Sequence, residues 1–223
     1  MSTISPRELV DVLLTGTGET LYMVGTSVVL TVLLGLPLGV LVYLSSPRAP
    51  LAHARLLHLL LGAFINVGRS MPFIILLVAV IPLTRLIAGT ALGTTAAIVP
   101  LTLAATPFYA RVVQTALLEI DRGRIEAVIA MGGTLAQIIF KVLLPEALPS
   151  LVAGVTLTAV VLVSFSAMAG VVGGGGLGDL AVRYGYERFN TAVMLATVAV
   201  LIVLVQVVQT LGDRLVRQLA HRR

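Results

Sequence analysis

The sequence predicts an all-α integral membrane protein with five transmembrane helices. Two observations carry that prediction. Hydrophobic residues make up 58% of the 223 residues and charged residues only 11%, against roughly 25% charged in an ordinary soluble domain. So little charge cannot cover a water-facing surface. The apolar residues also gather into five runs, each close to or above the ~20 residues that cross a bilayer. These runs are residues 21–44, 57–82, 91–118 (apolar mainly to 106), 151–171 and 189–211.

The first run is longer than the roughly 7–15 apolar residues of a cleavable leader. The stretch before it carries Arg7, Glu8, Asp11 and Glu19, not a basic flank. The run is therefore expected to stay in the membrane. Five crossings place the termini on opposite sides. Arg48, Arg55, Arg111, Arg122, Arg124, Lys141, Arg214, Arg217, Arg222 and Arg223 flank one side. Only Arg7, Arg85, Arg183 and Arg188 flank the other. Basic residues are retained in the cytoplasm. This predicts an extracytoplasmic segment at 1–20, a membrane domain at 21–211 and a cytoplasmic basic tail at 212–223. The net charge of +5 is thus spread over helix ends, which argues against a nucleic-acid partner. There is no cysteine, which excludes disulfides and thiolate chemistry. His53, His58 and His221 have a spacing that suits no common metal site.

The third run leads into a polar stretch at about 119–149. Thr106 before Pro107 reads as a cap with a first-turn proline, so helix resumes there or continues with a kink. Asp121 is placed to cap a short helix from Arg122 to about Met131. Gly132 and Gly133 end it. Thr134 and Gln137 then form a T-x-x-Q capping box, opening a second short helix to about Leu143. Pro145 is expected to break that helix, and Glu146 suits the first turn of the next one. Ala127 and Ala130 give the first helix a shallow face that another protein can approach closely.

This stretch resembles a known signature. Glu126-Ala127, then Gly132 six residues after the glutamate, then Val142-Leu143-Leu144-Pro145 is similar to the E-A-A, three residues, G, nine residues, I-x-L-P loop of permease subunits of bacterial ABC importers. Val128 and Val142 are mild departures from that pattern. The segments "FINVGRSMPFIILLVAVIPLTRLIAGT", "AAIVPLT", "ALLEI", "KVLLPEALP" and "GGGGLGDLAVRYGYERFN" extend the resemblance to the methionine-importer permeases over most of residues 20–215. The resemblance implies a type I importer permease fold and a homodimer in the bacterial inner membrane. It implies two separate ABC ATPase subunits that hold ATP and Mg, and an extracytoplasmic substrate-binding lipoprotein. The cargo it implies is D- or L-methionine. No cofactor and no catalytic residue would sit on this chain. The loop would be the coupling helix, with Glu126, Ala127, Ala130, Met131, Gly132 and Gly133 meeting the ATPase.

Other motifs fit or are set aside. No G-x-x-x-x-G-K-[ST] loop exists, and the single lysine, Lys141, follows Phe140. The chain cannot cradle ATP phosphates by that device. Residues 173–178, "GGGGLG", match G-x-G-x-x-G but follow a membrane span rather than a strand. They read as a close-packed turn, with contact to the binding protein as an alternative. Gly35 and Gly39 flank Pro37, which favours a kinked contact within the chain over a dimer motif. Arg69, expected midway along the second span, must face a bundle interior or water, because an unpaired arginine at mid-membrane costs roughly 2.5–3.5 kcal/mol on insertion scales. It either satisfies structural partners or attracts a substrate carboxylate. Asn66 and Ser70 beside it join it as candidate pathway residues. Ser164, Ser166 and Met168 are candidates for a constriction in span four, with plain helix packing as the alternative. A permease for another small amino acid or anion is a second reading. An ion-coupled transporter is a third, but no acidic residue lies deep in a span.

Overall fold

The computed structural model describes residues 6–46 and 55–220. The expectations for Arg48, His53, His221, Arg222 and Arg223 lie outside the described residues. Ten α-helices follow in order: α1 Pro6–Leu44, α2 Arg55–Ser70, α3 Phe73–Ala79, α4 Ile81–Ala88, α5 Thr94–Leu118, α6 Arg122–Ala130, α7 Leu135–Gln137, α8 Leu144–Val171, α9 Gly176–Leu180 and α10 Thr191–Ala220. Wider π-type turns, Ile138–Leu143 and Ala181–Tyr186, lead on from α7 and α9. Four helices are long and apolar enough to span a membrane, and a fifth span results if the bent pair α2–α3 counts as one.

Helix α5 is the hub of the bundle. Of its most apolar window 61% is buried inside the chain, against 17% for α10, so α10 faces outward. Against α5 lies α1, and two glycines allow the approach. A Cβ on Gly35 would come 3.0 Å from Tyr109, and one on Gly39 would come 2.6 Å from the Ala110 carbonyl. The G-x-x-x-G pair therefore serves a contact within the chain. Helix α1 starts at Pro6 rather than at residue 21, so most of the expected N-terminal segment belongs to the same helix as the first apolar run.

The second expected span, 57–82, is not one helix. It ends at Ser70, and α3 leaves at 105° to α2. Pro72 stands before α3 with φ −58° and ψ 132°, and a proline disfavours helical backbone in the residue before it. Gly68 seats this end of α2 on α5, where its Cβ would meet Pro107 at 2.6 Å. Pro107 itself lies inside α5, which runs on. Thr106 does not cap a helix; its hydroxyl donates to the Thr102 carbonyl at 2.7 Å.

Pro145 does not break the chain either. Helix continues from Leu135 to Val171, so the fourth span begins well before residue 151. In the π-type turn, bonding shifts by one residue, as when Leu144 N–H reaches the Ile139 carbonyl. The N–H that Pro145 lacks is absorbed there without ending the helix. At the other end of α8 the glycine-rich turn folds α9 back. A Cβ on Gly170 would come 2.6 Å from Gly178 carbonyl carbon, so the turn is close-packed. Helix α1 clasps it: the Glu19 carboxylate accepts from Gly176 N–H at 2.6 Å, and the Thr20 hydroxyl accepts from Leu177 N–H at 2.9 Å.

Candidate functional site

Two regions hold the candidate residues. The first is the corner around α6. Asp121 opens it, its Oδ1 accepting from Gly123 N–H at 2.9 Å. Ile125 is buried beside Tyr43, Leu44, Leu117, Ile138 and Leu143. Burying such a side chain contributes about 2 kcal/mol, enough to pin the helix by one residue. Arg124 pairs with Glu146 at the start of α8. Glu126, Ala127, Ala130 and Met131 stay exposed, Met131 at 78%.

The corner closes through its own backbone. Gly132 N–H donates to the Ile129 carbonyl at 2.9 Å, and Gly133 N–H donates to the Val128 carbonyl at 2.8 Å. This pair of bonds is the Schellman motif, which satisfies carbonyls that a helix end leaves open. The two glycines serve different needs. Gly132 has φ +76° and open space around it, so its need is conformational. At Gly133 a Cβ would press on the Val128 side chain and stand 2.8 Å from its carbonyl oxygen, so its need is room. The next helix starts at once. Thr134 N–H donates to Gln137 Oε1 at 2.8 Å, and Gln137 N–H donates to Thr134 Oγ1 at 3.3 Å. The expected capping box is present in both directions. The product is a projection closed by its own backbone, with Ala127 and Ala130 exposed beside the larger Ile129 and Met131.

The second region is the end of α2. Asn66, Arg69 and Ser70 are exposed on the isolated chain. The Ser70 hydroxyl donates to the Asn66 carbonyl at 2.8 Å. Arg69 forms no ion pair among the described residues. It lines an open cleft of about 480 Å³ with Phe108, Arg111, Thr115, Glu119 and Ser150. Arg111 is steadied there by Gln114 Oε1 at 2.8 Å. The cleft thus carries two cations and one carboxylate, a set that can hold a zwitterion.

The span-four candidates separate. Ser164 and Met168 share an exposed face of α8, Met168 being 40% exposed. Ser166 is buried and donates to the Val163 carbonyl at 2.7 Å, so it does not line a constriction with them. Ser164 lines a groove of about 470 Å³ against α10, with Ile202, Val205 and Gln206. That groove shares no lining residue with the Arg69 cleft. The sequence reading missed Phe108, Arg111 and Glu119 as neighbours of Arg69. Arg111, a charge within the third helix, was the available signal. It also missed the Glu19 clasp, for which an acid at the edge of an apolar run was the hint.

Residues 35–223 match the family described as binding-protein-dependent transport system inner membrane component. The chain is 55% identical over 212 residues to the probable D-methionine transport system permease protein MetI of Vibrio cholerae, covering 95% of this chain and 94% of that protein. The like-named protein of Haemophilus influenzae is 48% identical over 211 residues, with 95% and 99% covered. Among solved structures, the inward-facing MetNI methionine ABC transporter superposes with a TM-score of 0.93 at 49% identity, over 97% of this chain and 99% of that one. An amino acid ABC transporter solved with histidines gives 0.78 at 19% identity, over 97% and 100%, a likeness of fold alone.

Proposed function

The chain belongs to the inner membrane components of binding-protein-dependent transport systems, and from that premise we propose that it forms the translocation pathway of an ATP-driven methionine importer. The observation that carries this reading is the α6 corner. A short helix, anchored by Ile125 and closed by two glycines, leaves Glu126, Ala127, Ala130 and Met131 exposed. Such a projection fits a cleft on a separate ATPase subunit. The chain pairs with a second copy, and each copy takes one ATPase, which holds the ATP and Mg. A substrate-binding lipoprotein delivers the cargo from outside. The methionine assignment draws on the names of relatives that match nearly end to end.

In this reading Arg69 faces the pathway, with Asn66 and Ser70 beside it, and receives the cargo's carboxylate. Ser164 and Met168 form a gate on another face of α8. The N-terminus lies outside the cell and the α6 corner in the cytoplasm, as the basic residues direct.

The test uses proteoliposomes holding the permease, its ATPase and the binding protein. Methionine uptake should require ATP, and unlabelled D- or L-methionine should compete best. Preferred uptake of another amino acid, or uptake driven by an ion gradient without ATP, would count against the assignment. For orientation, a cysteine at Arg7 should label from outside intact cells and one at Arg122 should not. The reverse pattern would overturn the topology.

A further inference from the structure

Arg69 and Phe108 belong to two spaces at once. One is the open cleft described above. The other is a cavity of about 160 Å³ between the end of α2, α3, α5 and α8. Its remaining wall is apolar and includes Met71, Phe73, Leu76, Ala104, Val161 and Phe165. Phe73 and Phe165 stack face to face, with centroids 4.5 Å apart and planes 4° from parallel. The space lies at the bend after Ser70, where α3 leaves α2 at 105°.

We propose that this cavity is a side-chain pocket for the transported amino acid, with the carboxylate on Arg69 at its mouth. The inference rests on the reading of Arg69 as a pathway residue and adds a second contact to it. Size supports it. A dry cavity of roughly 150 Å³ lined by leucine, isoleucine and phenylalanine takes a benzene, so this one has room for an unbranched side chain of four heavy atoms, while an indole is half as large again as benzene. Chemistry supports it too. Thioether sulfur sits favourably against aromatic rings, and Phe73, Phe108 and Phe165 supply them. The guanidinium can bind a carboxylate through two parallel hydrogen bonds. Helix α2 ends at Ser70, so the carbonyls of its last turn carry partial negative charge. They suit the ammonium of the same molecule. The headgroup then rests at the Arg69–Phe108 threshold, and the cleft beyond is the way out.

The chain has no cysteine, so a single one placed in the wall reports occupancy. Ala104→Cys is labelled with a small thiol reagent in the purified, nucleotide-free permease–ATPase complex. Val161→Cys serves as a second reporter if the first fails to assemble. L-methionine at about ten times its dissociation constant should slow labelling roughly tenfold, since only the free fraction reacts. L-norleucine, of equal length, should also protect. Methionine methyl ester, lacking the carboxylate, and tryptophan should not. Adding Arg69→Gln should abolish protection. The proposal is overturned if the ester or tryptophan protects as well as methionine. It is equally overturned if no compound protects up to its solubility limit. Uptake by Arg69→Gln separates the two claims. Lost uptake in Arg69→Gln, together with a wall that methionine fails to protect even when Arg69 is intact, keeps the pathway role and removes the pocket. Normal uptake removes both.

Discussion

The α6 corner and the α2–α3 break both interrupt a helix, and they do so by opposite means. At the corner the turn is closed by local devices, while Ile125 and the Arg124–Glu146 pair tie it to the rest of the bundle. Asp121 caps Gly123, Gly132 and Gly133 return their N–H groups to Ile129 and Val128, and Thr134 and Gln137 cap each other. At the break the devices come from elsewhere in the chain. Gly68 rests on Pro107 of α5, and Phe73 stacks on Phe165 of α8. A segment closed by its own backbone keeps its shape when its surroundings move. A segment shaped by distant helices changes when they change. The first property suits a lever and the second suits a pathway.

The largest effect is expected at the break. Arg69→Ala should cut methionine uptake by roughly tenfold to a hundredfold or more, since each charged hydrogen bond lost counts for about 1.5–3 kcal/mol. Recovery of the assembled complex should not change, and uptake is measured beside that recovery. Loss of the complex would make Arg69 structural and erase the contrast. At the corner, Gly133→Leu should strain the contact with the Val128 carbonyl by about 1–3 kcal/mol. Insertion and pairing should survive while ATP hydrolysis stops responding to methionine. Normal coupling in that variant would mean that the corner is not stiff. Thr134→Ala or Gln137→Ala should each cost about 1 kcal/mol of local stability. The double variant should cost less than the sum, because the two bonds are reciprocal. Protease sensitivity of the corner reads this, and additive effects would break the picture of a closed unit. The smallest effect is expected at Met168, on the exposed face of α8 away from the cleft. Met168→Ala should leave folding intact and let some hydrolysis proceed without substrate. Hydrolysis still wholly dependent on methionine and binding protein would argue against a gate there.

The same contrast explains what the sequence made legible. Asp121, the diglycine and the T-x-x-Q pair act over a few residues, so their meaning could be read in place. The five apolar runs were equally plain. The 105° bend was not, because Pro72 permits a break without requiring one. A proline inside α5, Pro107, is carried by a continuing helix. The seat of Gly68 on Pro107 and the stack of Phe73 on Phe165 flank the break, and these join residues far apart in the chain. Pro145 misled for a related reason. The wide turn before it takes up the missing N–H, and no residue type announces such a turn. Arg69 stood out as a charge in an apolar run, but its neighbours Phe108 and Arg111 come from α5 and needed the packing. Ser166 was grouped with Ser164 and Met168 by nearness in sequence, and the helical turn places it on the buried face.

The account stands or falls on the corner as the point where force enters. Ala130→Arg sets a long charged side chain on its shallow face. Gly132→Val puts a β-branched residue where φ is +76°, a conformation that costs about 1–3 kcal/mol. The decisive measurement reconstitutes each purified variant with the ATPase and binding protein, and follows association, hydrolysis and uptake on the same samples. The account predicts that both variants insert and pair, yet lose uptake together with substrate-stimulated hydrolysis. Variants that bind the ATPase and pump methionine at the normal rate would contradict it.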